Sequence, residues 1–549
     1  MKLSLRTLVR TIAGTAAAAT LVIAPVASAD TSVSHASIKG SGSSWAANAI
    51  AQWQADVATN GGLHVDFNPN GAALGRSDFA HALTDFGVSD IGYQGTDPAT
   101  GQQDTSLGRA YAYLPIAAGG TALPYHIEVG GQLYRNLRLS GETVAKIFTG
   151  KITNWSDPQI TKDNNGKALP SIPIIPVVHS EGAGVSYEFT RYLAKQFPSL
   201  WSACNGGKNV ATEYYPANCG GSGPMKSFSG SDGVMNFLTS AGANGAIATE
   251  EYSYPLAKNY PSVKLLNQAG YYTLPTQYNV AVALTKAKIN MDTSSPDYLT
   301  QNLDAVYTNS DKRTYPMSSY VYAIIPTSKT DTKTATTASR QTVADFLYYS
   351  ICAGQSEIGP IGYSSLPVNL VQAGFAQIQK LQSAQNNVVF TNRNISTCHN
   401  PTFVAGHPNS NYLAQIAPMP ASCDKVGAGP CTGSEGTTNG NPVNGHATNG
   451  GTGSTGGTGS TGTTGGTGTS VGSAPGSTTP VAGGGAGDLG LGGTTTDAGA
   501  GGSGTVVPTT LAAAQGGSTT GLALLVGGIF LIALVGPAAL STVLGRRSR

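Results

Sequence analysis

Past Cys431 the chain changes character, and up to about Val507 it is almost entirely Gly, Thr, Ser and Asn. Such a stretch cannot bury enough apolar surface to offset its chain entropy. Any packed fold must therefore be built from what precedes it. Read as a flexible, disordered stalk over 432–515, about 80 residues reach on the order of 50 Å r.m.s. and severalfold more when stretched. Beyond it Gly521 to Leu544 carry no charge, and about 24 apolar residues are enough for one transmembrane helix. Arg546, Arg547 and Arg549 in the 545–549 tail place that end in the cytoplasm. The opposite end has Lys2, Arg6 and Arg10, an apolar run, and Ala27-Ser28-Ala29. This is the pattern of a signal peptide over 1–29. The two ends agree on an exported chain, on the extracellular face of the membrane, anchored by a single C-terminal helix.

Setting the six basic residues of the two ends aside leaves 25 against 29 acidic residues, a net of about −4 for the exported part. Nucleic-acid binding is disfavoured, and an anion site has to rely on local backbone donors rather than bulk charge. Six cysteines in an exported chain, Cys204, Cys219, Cys352, Cys398, Cys423 and Cys431, favour three disulfides over metal ligation. No C-x-x-C or H-E-x-x-H spacing argues for zinc. Of the fifteen connectivities that six cysteines allow, the sequential one is preferred because short loops pair easily. No metal or cofactor is expected.

Residues 30–400 alternate strand-like and helix-like segments, the mark of an α/β fold. Roughly 370 residues exceed one usual core, so two lobes are expected, the second over about 120–275. Gly40 to Val57 opens with glycines and serines and then spaces Ala46, Ala49, Ile50 and Trp53 as a helix, with Ser43 or Ser44 as its N-cap. Leu63 to Asn68 and Asp85 to Tyr93 are strand-like. The long apolar segment Ala110 to Val129 is a candidate crossing between lobes. Ser140 caps a helix that Gly150 stops. Gln277 to Leu284 and Tyr315 to Pro326 are assigned as strands, and 341–354 and 361–381 as helices. Residues 401–431 form a cysteine-containing tail. Between these lies His179 to Leu193, a glycine-rich turn with a hydroxyl at Ser186, following the apolar run Ile172 to Val178. A turn of that kind at a helix N-terminus can cradle an anion, although tight turns without a ligand are common in α/β proteins.

Taken together, GSGSSW (40–45), VDFNPNGAALGRSDF (65–79), DFGVSD (85–90), the helix ending FTGKITNW, VVHSEGAGVSYEFTRYL, GSDGVMNFL and GYSSLPVNLVQAG (362–374) resemble the phosphate-specific periplasmic binding proteins of ABC importers, in their actinobacterial, membrane-anchored form. The resemblance runs in family order across about 350 residues. It implies a two-lobed periplasmic-binding-protein fold of type II, with a hinge and an interlobe ligand. The implied partners are inorganic phosphate or another small oxyanion and an ABC permease. It carries the first-lobe turn onto Ser44 and Trp45, and the aspartate that accepts the phosphate proton onto Asp90, for which an N-cap role is the alternative. The second-lobe turn maps onto His179, Gly182, Ala183, Gly184, Val185 and Ser186.

At several of these positions the chain departs from the family pattern. Ala72 and Ala73 stand where a serine is expected, His179 where an arginine is, and Ala183 and Val185 where two hydroxyl residues are. Glu181 replaces an aspartate. A hydrogen bond to a charged group is worth about 1.5–3 kcal/mol, so four lost donors cost about 6 kcal/mol, on the order of ten-thousandfold in affinity. Arg76 compensates in part if it points inward; the alternative is a solvated helix residue. His179, with an ordinary pKa near 6.5, would add positive charge only in acid, the alternative being a neutral histidine bonded within its turn. Two functions follow. One is a weak oxyanion-binding component of an importer. The other is a surface protein that kept the fold, lost the ligand and serves contact or sensing. An enzyme is not expected, because the folded part has no G-x-S-x-G and no metal-spaced cluster.

Overall fold

The computed structural model describes residues 33–96, 103–219, 224–382, 388–390, 395–407 and 410–431. The expected signal peptide, stalk, apolar span and basic tail lie outside the described residues. Every described residue belongs to one compact unit. Among the described residues no helix is long and apolar enough to cross a membrane.

The first lobe begins with β1 (Ile38–Gly42), α1 (Ala47–Gly61), β2 (Val65–Asn68), α2 (Ala72–Ala80) and β3 (Phe86–Ser89). β1 runs parallel to both β2 and β3, with Ile38 opposite Val65 and Gly40 opposite Phe86. α1 buries Ala49, Ile50, Trp53 and Val57, the face its spacing implies. Its N-cap is Ala46, without a side-chain cap. The expected capping serines are drawn elsewhere, since Ser43 donates to Asp90 and Ser44 accepts from Ser231.

β4 (Tyr111–Ala122) is almost wholly buried and carries the chain out of this lobe. After Leu123 and Pro124 the backbone enters a second sheet at β5 (Tyr125–His126). There follow α3 (Gly141–Phe148), β6 (Ile175–His179), α4 (Gly184–Gln196), β7 (Lys226–Phe228), α5 (Gly230–Leu238) and β8 (Ala246–Ala248). Ser140 caps α3 by accepting from the Thr143 N–H, and Gly150 follows with a positive φ. The second sheet has the order β7–β6–β8–β5. After Thr249 the chain returns to the first sheet at β9 (Glu250–Glu251), which pairs with the end of β4. Outgoing and returning strands thus form one antiparallel ribbon, tied by the Ala248 N–H to the Pro124 carbonyl at 2.8 Å. Such a two-strand crossing is a natural hinge between lobes.

α6 (Gln277–Leu284) corrects the strand expected for this run. Its apolar residues are buried nearly all round, which erases the periodicity that separates helix from strand. Thr276 caps it by accepting from the Asn279 N–H. β10 (Ser318–Pro326) runs antiparallel to β4 along its whole length and completes the first sheet as β9–β4–β10–β3–β1–β2. α7 (Thr337–Ile351) and α8 (Val368–Ile378) pack on this lobe.

The disulfides are Cys204–Cys219, Cys352–Cys398 and Cys423–Cys431, the sequential pairing. The last is held to the second lobe by Lys264, which pairs with Asp424 at 2.7 Å, and by Arg138, which donates to the Cys423 carbonyl at 2.8 Å.

Candidate functional site

The turns that begin α1, α2 and α4 meet where the two lobes touch. Gly42 ends β1 with φ 138°, pressed so closely on the Val88 carbonyl that no side chain fits. This kink aims the Gly42–Ser43–Ser44 turn at the second lobe. Ser43 Oγ donates to Asp90 Oδ2 at 2.7 Å, and Ser231 Oγ, at the head of α5, donates to Ser44 Oγ at 3.0 Å across the interface. Tyr254 donates to the Ser44 carbonyl at 2.7 Å and Tyr363 to that of Trp45 at 2.6 Å. The Trp45 ring lies in the core, edge-on to Tyr363, so only its backbone belongs to the turn.

Asp90 is buried at the end of the turn after β3. It abuts Gly184, the first residue of α4, so closely that a Cβ there would fall on the carboxylate. α4 has no side-chain cap of its own, and its first-turn N–H groups are those a helix leaves without intrahelical acceptors. A carboxylate at this end is electrostatically favoured. Burial nevertheless lifts the Asp90 carboxyl to about 6, against the pull of the Ser43 hydroxyl.

The remaining expected residues divide by position. Ala73 of α2 gives its N–H to the Gly182 carbonyl at 3.1 Å, a backbone bond between the lobes. Ala72 is buried at the start of the same helix. The Ala183 N–H goes to the Glu213 carbonyl at 3.1 Å within the second lobe. Val185 is a core residue, and Ser186 Oγ is buried without a hydrogen-bond partner among the described residues.

His179 is fully buried, with Nδ1 2.8 Å from Glu181 Oε1 and Nε2 3.4 Å from Glu250 Oε2. Burial alone would push the imidazole down, but the two carboxylates outweigh it and lift its pKa to about 10. The carboxylates on either side hold the imidazole toward its charged form, against the expectation of a charge gained only in acid, and they answer that charge from inside the protein.

Arg76 corrects a second expectation. Far from being solvated, it is fully buried. Its Nη2 lies 2.8 Å from Asp104 and 2.7 Å from Glu213, and its Nη1 donates to Ser89 Oγ at 3.0 Å. Glu213 belongs to the second lobe, so the guanidinium clamps the lobes together. Burial works against its charge, but the two carboxylates more than compensate and raise its pKa.

Ser231, Glu213, Glu250 and Asp104 were not singled out from the sequence. Ser231 could have been, since it stands in the GSDG run that opens α5. The acids gave no local signal, because their roles come from contacts with residues far away in the chain.

Two sheets joined by a paired crossing, with helix N-termini and hydroxyls facing each other between them, define a two-lobed α/β fold of the periplasmic-binding-protein class. The PBP superfamily domain matches residues 25–353. The chain is 30% identical over 335 residues to a phosphate-binding protein, PstS 2, of Mycobacterium tuberculosis, covering 60% of this chain and 83% of that one. It is 28% identical over 339 residues to the phosphate-binding protein PstS of Xylella fastidiosa, covering 61% and 83%. A solved high-affinity periplasmic phosphate-binding protein bound with phosphate covers 67% of this chain and 100% of its own at 18% identity and a TM-score of 0.48. The chain belongs to the phosphate-binding family of periplasmic solute-binding proteins.

Proposed function

We propose that this chain is an exported, membrane-anchored solute-binding protein that takes phosphate or a related small oxyanion between its lobes, and takes it weakly. The observation that carries this reading is that Asp90, bonded by Ser43, abuts the uncapped N-terminus of α4, while the next residue of the same turn, Ser44, meets Ser231 of the other lobe. Opening at the crossing of 122–124 and 249 would part these groups and admit the ion. Asp90 would then accept a proton from a protonated oxyanion, and the first-turn N–H groups of α4 would face its charge. Weakness follows from the two nearest cations, since His179 and Arg76 each lie between two carboxylates. The relatives are named as phosphate-binding proteins, which supports the ligand class.

A second reading rests on one further observation. The Ala73 N–H, a helix-terminal donor that could serve an anion, is already taken by the Gly182 carbonyl. That bond favours a surface protein whose lobes bind each other instead of a solute. Calorimetric titration of the 30–431 portion with phosphate, sulfate and buffer alone separates the two. Saturable heat with phosphate and none with sulfate supports the first reading, and no saturable heat with either supports the second.

A further inference from the structure

Beside the meeting point of the lobes lies a cavity of about 280 Å³ whose charged lining is Asp90, Glu188, Asp297 and Arg191. Three carboxylates against one guanidinium make it a poor place for an anion. Glu188 projects from α4 and is only 6% exposed, and its Oε2 has no hydrogen-bond partner among the described residues. Its Oε1 is 3.5 Å from the Gln301 amide nitrogen and 4.0 Å from Arg191 Nη1, too far for a close ion pair. The Tyr322 hydroxyl on the same wall, from β10 of the other lobe, is buried too. It senses the Gln301 backbone but makes no hydrogen bond of ordinary geometry. A buried acceptor left unmade costs free energy that a suitable donor recovers.

We propose that this cavity binds a small aliphatic ammonium ion, held by the Glu188 carboxylate and the Tyr322 hydroxyl, with the exposed Asp297 drawing it in. An ammonium group brings one charge and several N–H donors, which matches the unpaired Glu188 oxygen and the buried Tyr322 hydroxyl on opposite lobes. Among the described residues no three His, Cys, Asp or Glu side chains are grouped to hold a metal ion, so a divalent cation fits less well. The volume suits a ligand smaller than drug-sized. The Glu188 carboxyl is lifted by burial to about 7, with Arg191 pulling it back and Asp90 pushing it further. The groups facing it are Arg191 and Tyr187 on its own helix, Asp90 and Tyr322 from the first lobe, and Tyr307. A cation prefers the ionised carboxylate, so affinity rises with pH. The site shares Asp90 with the oxyanion reading but uses neither its backbone donors nor its hydroxyls, and its ligand is held by Glu188 and Tyr322.

The test is calorimetry of the full-length chain in detergent micelles, titrated separately with ethylammonium, 1,4-diaminobutane and calcium. Saturable amine binding is expected at about pH 8, weaker by at least about tenfold at about pH 5.5. Glu188→Gln should weaken it by about tenfold or more and Tyr322→Phe by about three- to tenfold, the size of one hydrogen bond. Tyr322→Phe preserves the core shape, so the site remains testable should Glu188→Gln fold poorly. The proposal is overturned by the absence of saturable heat with both amines, by amine binding that neither variant changes, or by a Glu188-dependent signal from calcium alone.

Discussion

Two buried cations stand on either side of the interlobe contact, and each is flanked by two carboxylates. Arg76 reaches from the first lobe to Asp104 of its own lobe and Glu213 of the other, while His179 stays between Glu181 and Glu250 near the crossing. The guanidinium is planar, with donors enough to satisfy both acids and Ser89 together. The imidazole has two nitrogens, one at 2.8 Å and one at 3.4 Å from its acid. Arg76 is therefore a clamp across the cleft and His179 a charge held at its back. In neither case is positive charge left over for an anion. Discrimination and affinity then fall to hydroxyls and backbone, which is a weaker way to hold a charged ligand.

Removing the clamp has the largest expected effect. Arg76→Ala leaves Glu213 buried beside Asp104 with no cation between them, and breaking a buried pair in this way costs about 3–5 kcal/mol. Urea unfolding of the 30–431 portion measures it. A loss below about 1 kcal/mol would show that Arg76 is no more than a surface ion pair and would collapse the comparison with His179.

His179 comes next, and its sign is set by pH. Its pKa is raised in the folded chain, to about 10 from an ordinary 6.5. The stability it contributes is thus fully present below about 6.5 and is lost as pH rises through about 10. The thermal midpoint of the wild type should fall as pH is raised from about 7 to 10. In His179→Gln the midpoint should start lower by the equivalent of about 2–4 kcal/mol and stay flat over that range. An equal slope in both proteins would mean that the imidazole is neutral in the fold.

Asp90 shifts stability in the same direction but in a lower window, because here burial favours the neutral form instead of a neighbour favouring the charged one. Its carboxyl is lifted by burial from 3.8 to about 6, so ionising it in the folded chain opposes folding above that range. Asp90→Asn should raise stability at about pH 8 by about 1–2 kcal/mol, the cost of the shift less part of the Ser43 hydrogen bond. The gain should vanish below about pH 4. If phosphate binding also disappears in this variant, the proton-accepting role holds; if binding persists undiminished, Asp90 is only a buried acid.

The fold was legible because its local signals agree. The glycine- and serine-rich turn before α1, the capped helix after Ser140 and the long apolar run of β4 each have one reading that physics favours. α6 was misread since a helix buried all round shows no periodicity. In the site, Asp90 and Gly184 were placed by motif and lie against each other, while Ser44 meets Ser231 instead. Arg76 was not legible, because a charged residue reads as solvated unless its partners are known, even though Ala72, Phe79 and Ala80 on the same helix face are buried. Asp104 and Glu213 lie 28 and 137 residues further along. No local pattern encodes such a pairing.

The smallest effect tests the contact most specific to the site. Ser231 and Ser44 share one hydrogen bond across the lobes at 3.0 Å, with both side chains buried. Replacing Ser231 by Ala should cost about 1 kcal/mol, since Ser44 then keeps a buried hydroxyl with one partner fewer. Replacing both should cost scarcely more than one alone, as deleting the pair removes the bond and its orphan together. The double-mutant cycle, read by urea unfolding, thus isolates a coupling of about 0.5–1.5 kcal/mol. The same variants sharpen the contrast with the buried cations. A solute that parts the lobes must break this bond, so phosphate affinity should rise in Ser231→Ala if closure competes with the ligand. If Ser231 is itself a ligand donor, affinity should fall, and the hydroxyls then do the work that Arg76 and His179 cannot.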